Sequence, residues 1–319
     1  MTARVRTTTT RPADRTASLP RAVPVSRPRR VLVLLLAAME AARPRQWPKN
    51  LLVFAAPLAG ASLGRTDGFG YALVAAVAFT SASAAVYLVN DVVDADRDRH
   101  HFVKKRRPVA SGRLPVPTAL VFASLGVALA LALCVRIDSA GLAAAIGTYV
   151  ALSVLYTLWL KHVPGVEVAF VAIGFVLRAI GGAVATHVPP SGWFLLVCSL
   201  GALMVAIGKR YAELSVLGAA AAVEHRPVMR WYRVTGLRAA QRAVSCAMLI
   251  SYLLWALSES DGWMRGWHLA STLPLAVALL RFDRLTGLAD DRPVEDLITR
   301  DPIMICAEVT WLTLFLIGL

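Results

Sequence analysis

The sequence predicts an all-α membrane protein with about nine transmembrane helices. Hydrophobic residues make up 57% of the 319 residues and charged residues only 17%, which is too apolar for a soluble domain of this length. Apolar stretches of about 15 to 22 residues recur along the chain, close to the roughly 20 residues with which a helix crosses the hydrocarbon layer. These stretches lack the period-2 alternation of a membrane barrel, so helices are expected throughout.

Two segments precede the first predicted span. Residues 1–30 are rich in Arg, Thr and Pro, and a disordered basic tail is expected there. The apolar run Val31–Ala42 is followed by Arg43-Pro44-Arg45 and not by a small-residue cleavage site, which favours a short interfacial helix over a secretory signal. Residues 31–319 are predicted to form one transmembrane domain. Its spans are expected at 50–64, 70–90, 116–134, 140–160, 165–186, 192–208, 240–258, 267–281 and 303–319.

The distribution of basic residues predicts the orientation of the chain. With the N-terminus inside, the inner segments hold 29 of the 34 Lys and Arg residues, while the outer loops hold only Arg65, Arg136 and Arg265. Inner loops accumulate positive charge, so the N-terminus is expected on the cytoplasmic side of the plasma membrane. Topology therefore explains most of the net charge of +14. No stacking aromatic residues or binding motif accompany the basic residues, and a nucleic-acid partner is not expected.

An acidic segment lies where the second predicted span leaves the membrane. It runs from Asn90 to Asp98 and has the pattern Asn-Asp-x-x-Asp-x-x-x-Asp. On a helix, positions i, i+3 and i+7 share one face, so Asp91, Asp94 and Asp98 are predicted to form one carboxylate stripe with Asn90 at its edge. Asp96 is expected to point elsewhere.

Like charges on one helix face repel unless a cation is bound among them. Oxygen ligands suit Mg²⁺, which is commonly shared between protein carboxylates and substrate phosphates. Asp91, Asp94 and Asp98 are therefore predicted metal ligands, and with Asn90 they are the predicted catalytic group, acting on a diphosphate. The alternative is that the carboxylates only balance neighbouring bases: Arg97, Arg99, Lys104, Lys105, Arg106 and Arg107.

The acidic signature, the nine expected spans and the segment Arg43-Pro44-Arg45-Gln46-Trp47-Pro48-Lys49-Asn50 resemble the UbiA-type intramembrane prenyltransferase superfamily. The resemblance runs from about residue 41 to the C-terminus. Further segments resemble the branch of that superfamily that transfers phosphoribose to decaprenyl phosphate: Lys104-Lys105-Arg106-Arg107-Pro108, Arg178-Ala179-Ile180-Gly181-Gly182 and Gly208-Lys209-Arg210-Tyr211-Ala212-Glu213-Leu214.

The resemblance implies a UbiA-type helical bundle and a specific reaction. The enzyme would transfer 5-phosphoribose from phosphoribosyl pyrophosphate to a polyprenyl phosphate and release diphosphate. The product, polyprenyl-phosphoryl-5-phosphoribose, would serve cell-wall arabinan and arabinogalactan precursor synthesis. Mg²⁺ is the expected cofactor, the active site is expected on the cytoplasmic side, and the sequence leaves open whether the chain forms a homo-oligomer.

Two other functions compete with this one. An aromatic prenyltransferase that uses a prenyl diphosphate would share the fold and the first acidic motif, but such members usually carry a second aspartate-rich motif after the sixth span. The loop 209–239 contains no aspartate here. A transporter or channel could also use Asp91, Asp94 and Asp98, yet transporter sites usually lie near the bilayer midplane and not at its surface.

Five basic residues are predicted to bind substrate phosphates. Lys49, Arg107 and Lys161 each lie at the inner mouth of a predicted span, where the donor phosphates are expected. Lys209 and Arg210 replace the second acidic motif and would offer charge-assisted hydrogen bonds to the 5-phosphate of the donor.

Three further side chains have two interpretations each. Arg178 lies inside the fifth predicted span, where it would either guide the acceptor phosphate or form an ion pair, for example with Glu167. Tyr156 would either donate a hydrogen bond to substrate or anchor the chain at the membrane interface. Tyr211 would either contact substrate or pack between helices.

Overall fold

The structure is a computed structural model that describes residues 27–64, 67–101, 103–160, 163–288 and 294–319. Within those ranges it contains helices and turns but no β-strand, which confirms the all-α prediction. Residues 1–26 of the expected tail lie outside the described residues, whereas 27–30 begin the first helix. In chain order the α-helices are α1 Arg27–Ala41, α2 Ala55–Ala59, α3 Gly68–Val93, α4 Ala95–His100, α5 Val116–Arg136, α6 Ala140–Leu158, α7 Val166–Ala185, α8 Gly192–His225, α9 Val234–Ser258, α10 Gly262–Gly287, α11 Val294–Arg300 and α12 Pro302–Ile317.

Among the described residues, six helices are long and apolar enough to cross a membrane: α3, α5, α6, α7, α8 and α9. Each of them overlaps a predicted span, although α8 continues well beyond the predicted end at 208 and α9 begins before 240. The spans expected at 267–281 and 303–319 lie in α10 and α12, which are not among these six helices. α10 contains the polar residues His268 and Asp283 and also Pro274, and α12 has only 16 residues. The multi-pass architecture is confirmed, but the number of nine spans is not.

The first predicted span, 50–64, is wrong as a single helix. The chain forms a 3-10 helix at Pro44–Phe54 and then the five-residue helix α2. Proline lacks a backbone N–H, so Pro48 and Pro57 weaken the α-helical hydrogen bonding of this segment. Irregular backbone at membrane depth must be surrounded by protein. The segment accordingly packs on α3 and α7.

The helices pack in two groups that are joined by α7 and α8. In the first group, α3 packs on α5, α6 and α7 through an alanine-rich face, and Phe79 of α3 is buried in this contact. In the second group, α8, α9, α10 and α12 pack around Phe282. Because consecutive spans run in opposite directions, the C-terminal ends of α3, α6 and α8 and the N-terminal ends of α5, α7 and α9 gather at one end of the bundle. We call it the Asp91 end.

Prediction: Gly182→Ala on α7 should lower the stability of the bundle. A Cβ atom at Gly182 would lie 1.7 Å from the backbone oxygen of Val53, so either the 3-10 helix or α7 would have to move. Overpacking of this kind costs about 1 to 3 kcal/mol or more. We expect a clearly lower midpoint of unfolding in an SDS titration.

The control is Gly147→Ala on α6, where no heavy atom lies within 4 Å of the added Cβ. It should leave the midpoint nearly unchanged. Equal midpoints for the two variants would show that the close approach between Gly182 and Val53 is absent.

Candidate active site

The acidic segment crosses a break between two helices. α3 ends at Val93, Asp94 lies between the helices with φ −91° and ψ 0°, and α4 begins at Ala95. Helical hydrogen bonds continue across the break, since the Asp94 amide donates to Asn90 O at 2.9 Å and the Asp98 amide donates to Asp94 O at 2.9 Å. The break therefore preserves the geometry that keeps Asp91 and Asp98 on one side of the chain.

Two of the three predicted carboxylates converge on one cation. Arg107 Nη1 lies 3.3 Å from Asp91 Oδ1 and 2.7 Å from Asp98 Oδ2, and both aspartates are buried. Asp94 instead pairs with Arg97 at 3.9 Å. Within the described residues, no three His, Cys, Asp or Glu side chains gather closely enough to hold a metal by themselves. The expected stripe of three is thus present as a convergent pair.

A second arginine, which the sequence did not single out as a site residue, also contacts Asp91. Arg43 Nη2 lies 2.5 Å from Asp91 Oδ1, and its guanidinium lies 4.9 Å from the centre of the Tyr87 ring. Arg43 follows α1 in the left-handed region, with φ 53° and ψ 65°. Its place in the basic opening segment was visible in the sequence, but its left-handed backbone and its contact with Asp91 were not.

The amide of Asn90 is held by α6. Its Oδ1 accepts a hydrogen bond from the buried hydroxyl of Thr157. Near the carboxylate pair, burial of the side chain and the positive charge of Arg107 lower the pKa of Lys104 below its usual value. Asn90 is thus fixed in place beside the carboxylate pair, and Lys104 adds positive charge nearby.

The residues at the carboxylate pair fit a divalent metal. One nitrogen of Arg107 contacts an oxygen from each aspartate, so two carboxylate oxygens point at one cation position. Mg²⁺ is typically held by one or two protein carboxylates together with water and substrate phosphate. Asp91 and Asp98 supply that donor set, and a third protein carboxylate is not required.

A second ion cluster lies at the same end of the bundle. Glu167 of α7 is fully buried and lies 2.9 Å from Arg210 Nε of α8 and 3.2 Å from Arg226 Nη1. Arg210 also pairs with Glu213 at 2.5 Å, and Arg226 lies 3.4 Å from the Tyr156 hydroxyl. The two carboxylates and two guanidinium groups neutralise one another. Arg210 therefore contacts carboxylates here, and its role at a substrate phosphate stays a prediction.

The path of α8 allows Arg226 to reach this cluster. Gly218 interrupts the helix with φ 72° and ψ 165°, a backbone conformation that is essentially confined to glycine. The chain then turns back so that Arg226 faces α6 and α7. The C-terminal part of α8 is therefore tied to α6 and α7 by an internally neutralised ion cluster.

Arg178 is buried in the bundle among neutral polar groups. Its guanidinium is 5% exposed and donates to Asn50 Oδ1, Ser83 Oγ, the Tyr149 hydroxyl and Gly174 O, at 2.5 to 3.2 Å. Glu167 pairs with Arg210 and Arg226, so the alternative of an Arg178–Glu167 ion pair is wrong. No described carboxylate forms an ion pair with Arg178. Its charge is held only by neutral acceptors.

The remaining predicted residues are placed as follows. Lys49 donates to Gln46 near the start of the 3-10 helix, and Lys209 is half-buried on α8. Tyr211 is buried in an apolar cluster of α7, α8 and α9, which favours its packing interpretation. Lys161 lies outside the described residues.

A cavity of about 960 Å³ lies between the two helix groups. Its walls come from the 3-10 helix, α2, α7, α8, α9, α10, α11 and α12, and they are mostly apolar. Leu51 and Leu58 line it on one side, and Trp255, Leu279 and Phe315 on the other. The cavity can accommodate a flexible hydrocarbon chain.

Comparison with known proteins agrees with this geometry. Residues 51–295 match the UbiA prenyltransferase family. The decaprenyl-phosphate phosphoribosyltransferase of Mycobacterium tuberculosis is 38% identical over 293 residues, which are 88% of this chain and 93% of that protein. The protein of the same name from Corynebacterium glutamicum is 36% identical over 278 residues, covering 86% and 83% of the two chains.

Solved structures share the fold. A UbiA homolog from Archaeoglobus fulgidus bound to GPP and Mg²⁺ superposes with a TM-score of 0.62 at 17% identity, covering 88% of this chain and 97% of that one. A structure of digeranylgeranylglyceryl phosphate synthase gives a TM-score of 0.64 at 15% identity, covering 89% and 98%. At this identity the likeness supports the helical architecture alone.

Prediction: Glu167→Gln should destabilise the protein strongly, because Arg210 and Arg226 would then have to share Glu213 as a carboxylate partner, which leaves one positive charge in excess. Breaking a buried ion pair costs about 3 to 5 kcal/mol. The midpoint of SDS-induced unfolding should fall accordingly. The control is Glu40→Gln, which breaks the exposed pair with Arg113 and should cost at most about 1 kcal/mol. Similar midpoints for both variants would contradict a structural role for the Glu167 cluster.

Proposed function

Because the chain belongs to the UbiA prenyltransferase family, we propose that it transfers 5-phosphoribose from phosphoribosyl pyrophosphate to a polyprenyl phosphate, with decaprenyl phosphate as the acceptor class. The products are polyprenyl-phosphoryl-5-phosphoribose and diphosphate. The observation that carries this proposal is the 36 to 38% identity, over most of the chain, with proteins named for that activity. The charged end of the bundle supports it chemically.

The donor diphosphate is assigned to the carboxylate pair. Asp91 and Asp98 would hold Mg²⁺, with Asp94 and Asn90 beside it. The bound metal would stabilise the negative charge that develops on the diphosphate as it leaves C1 of the ribose. The fixed amide of Asn90 would orient polar groups around the donor. Asn90 and the aspartates lie on either side of the break at Asp94, at the end of α3.

Basic side chains at the same end complete the donor site. Arg43 and Arg107 already lie at Asp91, and Lys49 and Lys104 lie on segments that flank it. Guanidinium groups form bidentate hydrogen bonds with phosphate, and lysine supplies a compact positive charge. Lys161 and Lys209 remain candidates for the other phosphates. Their charge would lower the energy of the departing diphosphate.

The second ion cluster favours this donor over a prenyl diphosphate. Glu167 is fully buried between Arg210 and Arg226, and Glu213 pairs with Arg210, so this cluster already contains its own counter-ions. The loop 209–239 offers no aspartate in place of these two glutamates. An aromatic prenyltransferase, the nearest alternative, usually needs that second acidic site.

The acceptor needs positioning more than activation. A phosphate monoester is already anionic near neutral pH, so no strong general base is required. Arg178 is a buried cation with no carboxylate partner among the described residues, and its contact Ser83 lies eight residues before Asp91, about 12 Å along α3. Its charge would attract the lipid phosphate toward the donor. The large apolar cavity would hold the isoprenoid tail.

The proposal also includes location. The excess of Lys and Arg in the expected inner segments favours the cytoplasmic side for the N-terminus and the Asp91 end, and the enzyme would act in the plasma membrane. Residues 31–319 would form the catalytic domain and 1–30 the basic tail, although the first helix already begins at Arg27. The product would serve cell-wall arabinan precursors. A homo-oligomer is compatible with this arrangement.

Prediction: the purified protein should convert labelled phosphoribosyl pyrophosphate and polyprenyl phosphate, with Mg²⁺, into a labelled lipid, and EDTA should abolish the product. Asp91→Asn should reduce turnover by at least about a hundredfold, because it removes charge from the metal site. The control is Asp96→Asn, which removes the same charge from an exposed residue that pairs with Arg99. It should stay close to wild type. Prenylation of an aromatic acceptor without any phosphoribosyl lipid would reject the proposal.

A further inference from the structure

One oxygen of Asp91 is contacted by two cations. Arg43 Nη2 and Arg107 Nη1 lie 2.5 and 3.3 Å from the same atom, Asp91 Oδ1. Asp91 is 2% exposed, so these two guanidinium groups provide most of the neutralisation that its carboxylate needs when no other cation is bound. A metal that binds this oxygen must compete with both arginines.

The backbone of Arg43 has a conformation that is uncommon for a residue other than glycine. Arg43 follows the last residues of α1 in the left-handed region, a position that helices usually give to glycine. Its backbone is fixed there, because its amide donates to Glu40 O at 3.1 Å and its carbonyl accepts from the Gln46 amide at 2.8 Å. Non-glycine residues in this conformation are strained and cluster at functional sites.

Arg43 is the more readily released of the two arginines at Asp91, and a bound metal would replace the positive charge that it supplies. Arg107 alone bridges Asp91 and Asp98, and it would still do so without the second arginine. Arg43 is also about one-third exposed and lies over the Tyr87 ring, so its guanidinium faces the open mouth of the site. It can leave Asp91 without unfolding any helix, because only a side-chain rotation is needed.

We propose that Arg43 is an exchangeable cation of the donor site: it holds Asp91 in the absence of substrate and moves to the donor diphosphate when metal and diphosphate bind together. This inference rests on the proposed assignment of Asp91 and Asp98 to a metal–diphosphate complex. Arg43 then opposes the metal alone, since the two cations compete for one oxygen. It favours the diphosphate, since that ligand offers the released guanidinium new acceptors.

The exchange makes an unusual pair of predictions with opposite signs. Removing Arg43 should tighten the binding of metal alone, because Asp91 can then bind the metal in a larger fraction of the molecules. It should weaken the binding of diphosphate in the presence of metal, because a phosphate partner is lost. A residue that only supports the fold of the site would weaken both.

The test measures Mn²⁺ and inorganic diphosphate binding to the purified full-length protein in detergent. Free Mn²⁺ is followed by its EPR signal, and diphosphate by calorimetry at saturating Mn²⁺. Arg43→Gly is the first variant, because glycine suits the left-handed backbone. If Arg43 is paired with Asp91 in roughly nine-tenths of the molecules, we expect the Kd for Mn²⁺ to fall about tenfold in this variant. The Kd for diphosphate should rise by a similar factor.

Two variants complete the comparison. Arg43→Lys keeps the charge and should restore part of the diphosphate affinity. Arg45→Ala removes the same charge two residues further along the chain. The Arg45 side chain is exposed and contacts no described carboxylate, so this variant should change neither Kd. Should Arg43→Gly not fold, Arg43→Gln keeps the length of the side chain and serves the same comparison.

The inference is overturned if Arg43→Gly leaves Mn²⁺ binding unchanged or weaker, or if Arg45→Ala tightens it equally. In both cases the proposed transferase function survives, because wild type still binds Mn²⁺ and diphosphate. If wild-type protein binds no Mn²⁺ even with diphosphate at millimolar concentration, the metal site itself is rejected together with the exchange.

Discussion

A buried carboxylate at the end of a membrane helix needs a cation, and Asp91 is that carboxylate. An uncompensated ion in this position would cost several kcal/mol. The chain brings Arg43 from the end of α1 and Arg107 from the connection after α4 to neutralise it. The arrangement of three segments at this end of the bundle therefore depends on one charge. The same charge gives the site its proposed affinity for a metal-bound diphosphate.

The two ion clusters at the Asp91 end differ in what they leave available. The Glu167 cluster is closed, because each carboxylate has an arginine and Glu167 is fully buried. The Asp91 cluster is open on the side of Arg43, whose guanidinium is partly exposed. Arg178 differs from both, because its charge is surrounded by neutral acceptors. Under the proposed function, the three would be a structural anchor, the donor site and the site of the acceptor phosphate, respectively.

The sequence predicted the features that depend on composition and local periodicity. The all-α membrane architecture follows from apolar stretches, and the convergence of Asp91 and Asp98 follows from their spacing of seven residues. Features that depend on distant contacts could not be predicted. Nothing local marks Arg210 as a partner of Glu167, and nothing local shows that Val53 packs directly against Gly182. The backbone of Arg43 was equally invisible, because left-handed arginine is uncommon.

The most direct measurement of the central claim is pulsed ENDOR spectroscopy of Mn²⁺ in the protein with phosphoribosyl pyrophosphate bound. A ³¹P hyperfine coupling should appear in wild type, since the metal would bridge the carboxylate pair and the diphosphate. The coupling should be lost in Asp98→Asn while the protein remains folded. Bound Mn²⁺ without any phosphorus coupling, or a coupling unaffected by that substitution, would contradict a metal–diphosphate site at the end of α3.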